Sequence, residues 1–321
     1  MNIKLICGDY DIAFSSAQWS GTDEQCCRTL QFSIANNPID RRFQNPNIKL
    51  GDKVYFSADG AVFTGFITDI EKKSTIGEVT YTAKDIVYHL LKSNGTFNFK
   101  NTTPESITKT VCSNIGSPIG SLLQSNVNIP SMIVNNCSYY DIIIKAYTRA
   151  YESKGIYFMV TVDNNNQISV IEKWKHCGRV LDTMNDIIDS KYSANINNVV
   201  DKVVIYDSKN QRIGTVTDDN LISKYGIFQQ VYTEQEGVYA QDAARSMLKD
   251  KEESASISAI GDVSCISGRE VSIEDKEIGL TGIYYIKSDS HKFSNGIHTM
   301  DLDLRFKKYQ ETSDIEEDKE E

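Results

Sequence analysis

The sequence predicts an α+β fold that is mostly β: two copies of one β-barrel or sandwich domain, with a small α/β unit between them. Three observations predict it. First, a strand–turn–strand pattern occurs twice. Gly51-Asp52-Lys53-Val54-Tyr55-Phe56 is followed eight residues on by Thr64-Gly65-Phe66-Ile67, and Gly268-Arg269-Glu270-Val271-Ser272-Ile273 is followed eight residues on by Thr281-Gly282-Ile283-Tyr284. Gly51, Val54, Thr64 and Gly65 thus match Gly268, Val271, Thr281 and Gly282, offset for offset, as a structural repeat. Second, each copy leads into a Gly-started alternating strand, Gly77 to Ala83 and Gly296 to Phe306. In the latter Met300, Leu302, Leu304 and Phe306 share one face, and Asp301, Asp303 and Arg305 the other. Third, the stretch between the copies changes to helical spacing.

In chain order, residues 1–93 form the first β-domain. Leu30, Phe32 and Ile34 share one strand face, and Asn36-Asn37-Pro38 stops that strand. A polar loop with Asp40-Arg41-Arg42 leads to the first motif copy, where Asp59-Gly60 is a tight hairpin turn. Ile86, Val87, Leu90 and Leu91 fit one short helix. Residues 94–190 form the α/β unit. Thr103 caps a helix that starts at Pro104 and carries Ile107, Val111 and Ile115 on one stripe. Residues 116–137, rich in Gly, Ser, Asn and Pro, read as loop. Ser138 and Asp141 open a second helix with Ile142, Ile143, Ala146, Tyr147, Ala150 and Tyr151 on its apolar face, and Gly155 ends it. A hairpin follows around residues 163–166. Residues 191–310 form the second β-domain, with a strand at Val199 to Asp207, a returning strand from Arg212 to Thr217, and a helix within 237–253. That helix buries Ala240, Ala243, Ala244, Met247 and Leu248. Residues 311–321 form an acidic, disordered tail.

A chain of 321 residues with 40% hydrophobic and 24% charged residues has a core to bury and room for two or three domains. It has no run of the roughly 18 apolar residues that a membrane span needs, and its start turns polar too early for a signal peptide. No membrane insertion and a cytoplasmic site of synthesis are expected. The seven cysteines are odd in number and irregular in spacing, without a C-x-x-C pair, so neither a disulfide framework nor a zinc site is expected. The net charge of −10 is uneven: the last 11 residues carry −6 and the body −4. Specific nucleic-acid binding, which needs a basic footprint, is not expected.

Catalytic, cofactor and metal residues are predicted as none. The sequence has no P-loop, dinucleotide fingerprint, H-E-x-x-H or G-x-S-x-G. His176 beside Cys177 is a poor nucleophile–base pair, because such partners meet through the fold and not as chain neighbours. His291 and His298 can meet across a hairpin, yet no third metal ligand is evident. The Tyr139-Tyr140 and Tyr284-Tyr285 pairs, with Tyr225 and Tyr232, read first as half-buried residues and second as contact surface.

Val199 to Asp207, Lys224 to Gln229, the alanine-bearing helix and Gly282 to Phe306 are similar in order and spacing to tail hub proteins of the XkdQ type. The most distinctive piece is Tyr285 to Phe293 followed by Gly296-Ile297-His298-Thr299-Met300. Gly51 to Ile67 resembles that family's N-terminal barrel. Those proteins belong to contractile-tail phages, defective prophages and phage-tail-like bacteriocins. The resemblance implies a non-enzymatic baseplate hub whose two β-domains are tail-tube-like. It implies a homotrimer ring in which six such domains join a hexameric tail tube protein to a trimeric central spike protein, beside other baseplate proteins. Assembly in a bacterial host cytoplasm and residence in the particle follow from it. The acidic balance fits a channel that holds no DNA. The alternatives are a tail-tip cell-wall hydrolase and a receptor-binding accessory.

Overall fold

Residues 3–37, 39, 46–58, 60–72 and 77–313 are described by the computed structural model, and among them strand pairing dominates. In chain order the strands of the first region are β1 (Ile3–Cys7), β2 (Tyr10–Asp11), β3 (Ser16–Thr22), β4 (Thr29–Asn36), β5 (Lys53–Ala58), β6 (Ala61–Lys72) and β7 (Gly77–Lys84). Then come helix α1 (Val87–Lys92), β8 (Asn94–Thr102), α2 (Pro104–Asn114), β9 (Ile119–Leu122), β10 (Ile129–Ser138), α3 (Tyr139–Lys154), β11 (Phe158–Val162) and β12 (Ile168–Glu172). They are followed by β13 (Lys175–Asp182), β14 (Ile187–Asn195), β15 (Lys202–Tyr206), β16 (Arg212–Thr217), α4 (Asp219–Tyr225), β17 (Gln229–Thr233) and α5 (Ala240–Ser246). The last strands are β18 (Glu252–Ile260), β19 (Arg269–Asp275), β20 (Leu280–Ser294) and β21 (Ile297–Arg305).

The chain divides into two compact units, Met1–Ser190 with Ser256–Glu321, and Lys191–Ala255. The larger unit carries the sheet that organises the molecule. Its first six-strand run has the order β3-β4-β7-β6-β5-β1, and its second has the order β14-β18-β21-β20-β19-β13, to which this unit contributes 187–190 of β14 and 256–260 of β18. Alternation places Val79, Tyr81 and Ala83 of β7 inside, and Met300, Leu302 and Leu304 of β21 inside. The first core gathers Leu30, Phe32, Val54, Phe56, Ile67 and Tyr81, and it reaches Phe293 of β20.

The α/β region has its own core. Thr103 caps α2 by accepting from the Ser106 N–H, with Pro104 in the first turn. Ser138 caps α3 by accepting from the Asp141 N–H, and Gly155 ends it in the left-handed conformation at φ 68°. Ile142, Ile143, Tyr147 and Ala150 of α3 pack with Ile107 and Val111 of α2 and with Phe158 and Val170 of the β11–β12 hairpin. The stretch 116–137, read from sequence as loop, instead contains β9 and most of β10. Strand β10 pairs antiparallel with β8, and Met132 and Val134 enter the core while Asn135 and Asn136 stay outside. A strand with one wet face tolerates the Ser and Asn content that suggested loop.

The smaller unit is a three-stranded sheet, β16-β15-β17, with α5 packed on it through Ala244 against Val203 and Ile205. The sequence carries one β-domain through 191–310, whereas Lys191–Ala255 separates as its own unit. β-period on both sides of residue 255 hides that boundary. Helix α5 spans seven residues, shorter than the pattern through Leu248 implied, and of its residues only Ala244 is buried. Glu311, counted in the tail from sequence, is held by the fold. Glu311 accepts from the Gln25 N–H at 2.9 Å and from the Tyr140 hydroxyl at 2.6 Å. The Gln310 side chain bonds both the N–H and the carbonyl of Phe158, at 2.7 and 3.0 Å. Residues 314–321, Pro38, the Asp40-Arg41-Arg42 stretch and Asp59 lie outside the described residues.

Candidate functional site

The candidate site is the pair of matching sheets, the seam that joins them and the edges they leave unpaired. In the first copy Val54 pairs with Gly65, and Ala58 with Ala61. In the second, Val271 pairs with Tyr284, and Asp275 with Leu280. The second turn is therefore two residues longer. An even shift keeps every side chain on its face. It corrects the residue matching of the repeat. Thr64 and Gly65 stand in register with Ile283 and Tyr284, not with Thr281 and Gly282. The glycines differ in purpose too: a Cβ on Gly65 would lie 2.4 Å from the Lys84 carbonyl oxygen, while Gly282 sits at φ 142° in open space.

Other landmarks coincide once the register is used. Gly51 at φ 86° and Gly268 at φ 83° both precede the first strand. Their N–H groups donate to Ile67 and Ile286, at 2.8 and 2.9 Å. Each of those isoleucines lies two residues past the partner of the strand's valine, and both are buried. The middle strands bulge at the next position in each case, between Ile67 and Asp69 and between Ile286 and Ser288. The Ser33–Thr80 hydroxyl contact at 3.1 Å recurs as Ser258 donating to Asp301 at 2.6 Å. Gly268→Ala is expected to lower stability by about 1–3 kcal/mol, since alanine at positive φ is strained. Urea unfolding of the full chain measures it; a midpoint equal to wild type would mean that the turn relaxes freely.

The seam runs along β20. Its first half pairs with β19, but past the bulge Ser288–Ser294 pairs antiparallel with Thr22–Ser16 of β3. Two buried ionic groups pin it. Asp23 accepts from Lys173 at 3.1 Å and from Arg305 in a two-pronged pair at 2.9 and 3.0 Å, and Arg305 also bonds Glu24. Arg28 donates to both oxygens of Asp289, at 3.1 and 2.5 Å, and lies 3.8 Å over the Trp19 ring. The two-pronged geometry matches guanidinium to carboxylate.

Beside Asp289 the His291 ring makes a 3.1 Å contact with His298 and a 3.2 Å contact with the Cys265 carbonyl. Burial lowers the His291 pKa to about 4, aided by nearby Arg28 and His298 and opposed by Asp289. Above pH 6.5 neither folded nor unfolded chain binds this proton. As pH falls toward 4 only the unfolded chain takes it up, so about 3 kcal/mol of stability is lost across that window. His291→Gln should remove that part of the pH slope in urea titrations at pH 7 and 4.5; an unchanged slope would refute it.

No catalytic set forms from the residues weighed in the sequence. His176 accepts from the Gly178 N–H at 3.0 Å and meets the Ser272 hydroxyl at 2.9 Å. His291 and His298 do meet, but no group of three or more metal-binding side chains occurs among the described residues. Tyr140 is fully buried and Tyr139 nearly so, which makes that pair core and not contact surface. No helix among the described residues is long and apolar enough to cross a membrane. Sequence reasoning missed the cluster of Asp23 with Lys173 and Arg305, whose separations of 150 and 282 residues carry no local signal.

The chain belongs to the YQBQ-like family, whose model matches residues 17–305. It is 28% identical to the uncharacterized protein YqbQ of Bacillus subtilis over 92% of both chains. It is 24% identical to the phage-like element PBSX protein XkdQ of the same organism, over 92% of this chain and 93% of that one. Among solved structures, the prophage MuSo2 43 kDa tail protein of Shewanella oneidensis superposes with a TM-score of 0.73 at 14% identity, covering 94% of this chain and 97% of that one. The E. coli c3393 protein superposes with a TM-score of 0.56 at 10% identity, covering 94% and 76%. These likenesses agree with the mostly β fold expected from sequence.

Proposed function

We propose that this chain is a structural baseplate hub that closes a ring of three copies and adapts a hexameric tail tube to a trimeric spike. The carrying observation is the junction between β3 and β20. It joins the two β-copies inside one chain, and it leaves a complementary pair of edges open. One is the second half of β6, Asp69–Lys72, which by register corresponds to Ser288–His291. The other is β14, which corresponds to β3 and ends the strand order. Among the described residues neither edge has a strand on its outer side. Open strand edges with a matching partner are the natural route to a closed ring. Two β-copies per chain make three chains present six.

The relatives support a tail or baseplate role. XkdQ is a phage-like element protein, MuSo2 contributes a tail protein, and c3393 is described as a type VI secretion component similar to the T4 tail proteins gp27 and gp5. Partners of the hub are then its own copies, a tail tube protein, a central spike protein and other baseplate proteins, in a particle assembled in the host. The test is the copy number of this chain in the assembled particle, read by electron microscopy. Three copies around the tail axis are expected, and six would remove the adaptor role.

A further inference from the structure

We propose that Cys177 and Cys265 form a redox-closing pair: free thiols in the reducing state, joined as a disulfide once the protein meets a peroxide. The Sγ atoms stand 3.7 Å apart, in contact but unbonded. Cys265 is fully buried, whereas Cys177 is partly open to solvent. An oxidant therefore reaches Cys177 first and finds Cys265 behind it, which is the order a resolving thiol requires.

The backbone has the freedom to close the gap. Cys177 lies in the irregularity of β13, where the parallel register with β19 slips between His176 and Val180. Gly178 sits there at φ 86°. Cys265 is held from its own side, with its N–H on the Asp262 carbonyl at 3.0 Å and its carbonyl in contact with His291. The Cys177 side can thus move while the Cys265 side stays fixed.

The chemistry distinguishes this pair from other thiols in the chain. Burial pushes Cys7 and Cys26 up to about 12 and Cys112 up to about 11, which leaves them protonated and inert. Cys177 is drawn down to about 7 by the hydrogen bond from the Cys265 thiol, and Cys265 is raised correspondingly. The Cys177 thiolate attacks one oxygen of hydrogen peroxide; the O–O bond breaks, hydroxide leaves, and Cys177 becomes a sulfenic acid. The Cys265 sulfur then attacks the Cys177 sulfur. The S–S bond forms as the S–O bond breaks, and the departing hydroxide takes the Cys265 proton as water. Two thiols lose two electrons in total, and one peroxide becomes two waters.

Closure would pin the edge strand β13 to the segment that precedes β19. Of β13's eight residues only Leu181 is buried, so little else holds it. The bridge would close a loop with a sequence separation of 88, which includes the whole of Lys191–Ala255. A loop of that length limits the unfolded chain strongly.

The test uses the full chain, reduced, desalted, treated with hydrogen peroxide, and then denatured in N-ethylmaleimide and digested for mass spectrometry. A peptide joining Cys177 to Cys265, two hydrogens lighter than the reduced sum, is expected, and Cys177→Ser or Cys265→Ser removes it. The oxidised wild type should melt about 5 °C higher, reversed by dithiothreitol. Cys177 recovered as sulfinate with Cys265 alkylated, a different cysteine pairing, or two unreacted thiols would each overturn the proposal. None of these outcomes depends on the ring.

Discussion

Asp23→Ala should cost the folded chain about 3–5 kcal/mol, the range for removing one partner of a buried ion pair. The carboxylate is 1% exposed and accepts from two cations. Without it Lys173, itself 3% exposed, keeps the Asp23 backbone carbonyl at 3.0 Å and the Trp174 and Tyr309 rings at 4.5 and 5.4 Å. A buried ammonium with no counter-ion is the costly outcome, more than the loss of the attraction itself. Arg305→Met should cost less, because Asp23 retains Lys173. Replacing all three together by apolar residues of similar volume should recover much of the loss, because the desolvation of the charges is then relieved as well. Urea unfolding of the four proteins at pH 7 measures the series. A loss below about 1 kcal/mol for Asp23→Ala, the scale of exposed pairs, would mean that water reaches the site.

The position of Asp23 explains the size of the effect. It follows β3, Lys173 follows β12 of the α/β region, and Arg305 ends β21. Its N–H also donates to the carbonyl of Lys287, the bulged residue of β20, at 2.8 Å. One carboxylate thus joins the first β-copy, the α/β region and the second β-copy at the point where β20 changes partner. Weakening it should loosen the seam before it affects either sheet, so hydrogen exchange at Ser288–Ser294 should rise first.

Local chemistry was legible in the residues themselves. Thr103 with Pro104, Ser138 with Asp141, and Gly155 state where helices begin and end, because caps act within one turn. Alternation from Ile297 to Arg305 states which side of β21 faces inward. What depends on the partner could not be read. The repeat was visible at Gly51 and Gly268, yet its register turned on a hairpin two residues longer in the second copy. Strand β10 looked like loop because only three of its ten residues are buried. The acidic count placed Glu311 in a tail, but a buried tyrosine hydroxyl and a backbone N–H hold it. The Cys177–Cys265 contact joins positions that no spacing rule connects.

The proposed ring can be tested at the edge itself. Ile188→Lys should abolish self-assembly while leaving the isolated chain as stable as wild type, within about 0.5 kcal/mol. Ile188 lies on β14 and is 63% exposed, so a lysine there disturbs no packing within the chain. Its counterpart strand β3 buries Ala17 and Trp19 along the seam. If β14 meets the second half of β6 in a neighbouring copy as β3 meets β20, the isoleucine becomes covered and the lysine does not fit. A charge at a strand edge is how natural sheets refuse such pairing. Sedimentation of the purified chains, or their incorporation into particles, reads the loss of the trimer. Hydrogen exchange gives an independent reading: in wild-type particles the amides of Asp69–Lys72 and Ile187–Ser190 should gain protection relative to the free chain. Ile188→Lys chains that still form trimers, with both stretches still protected, would mean that the copies meet through other surfaces and that the match between the two sheets does not build the ring.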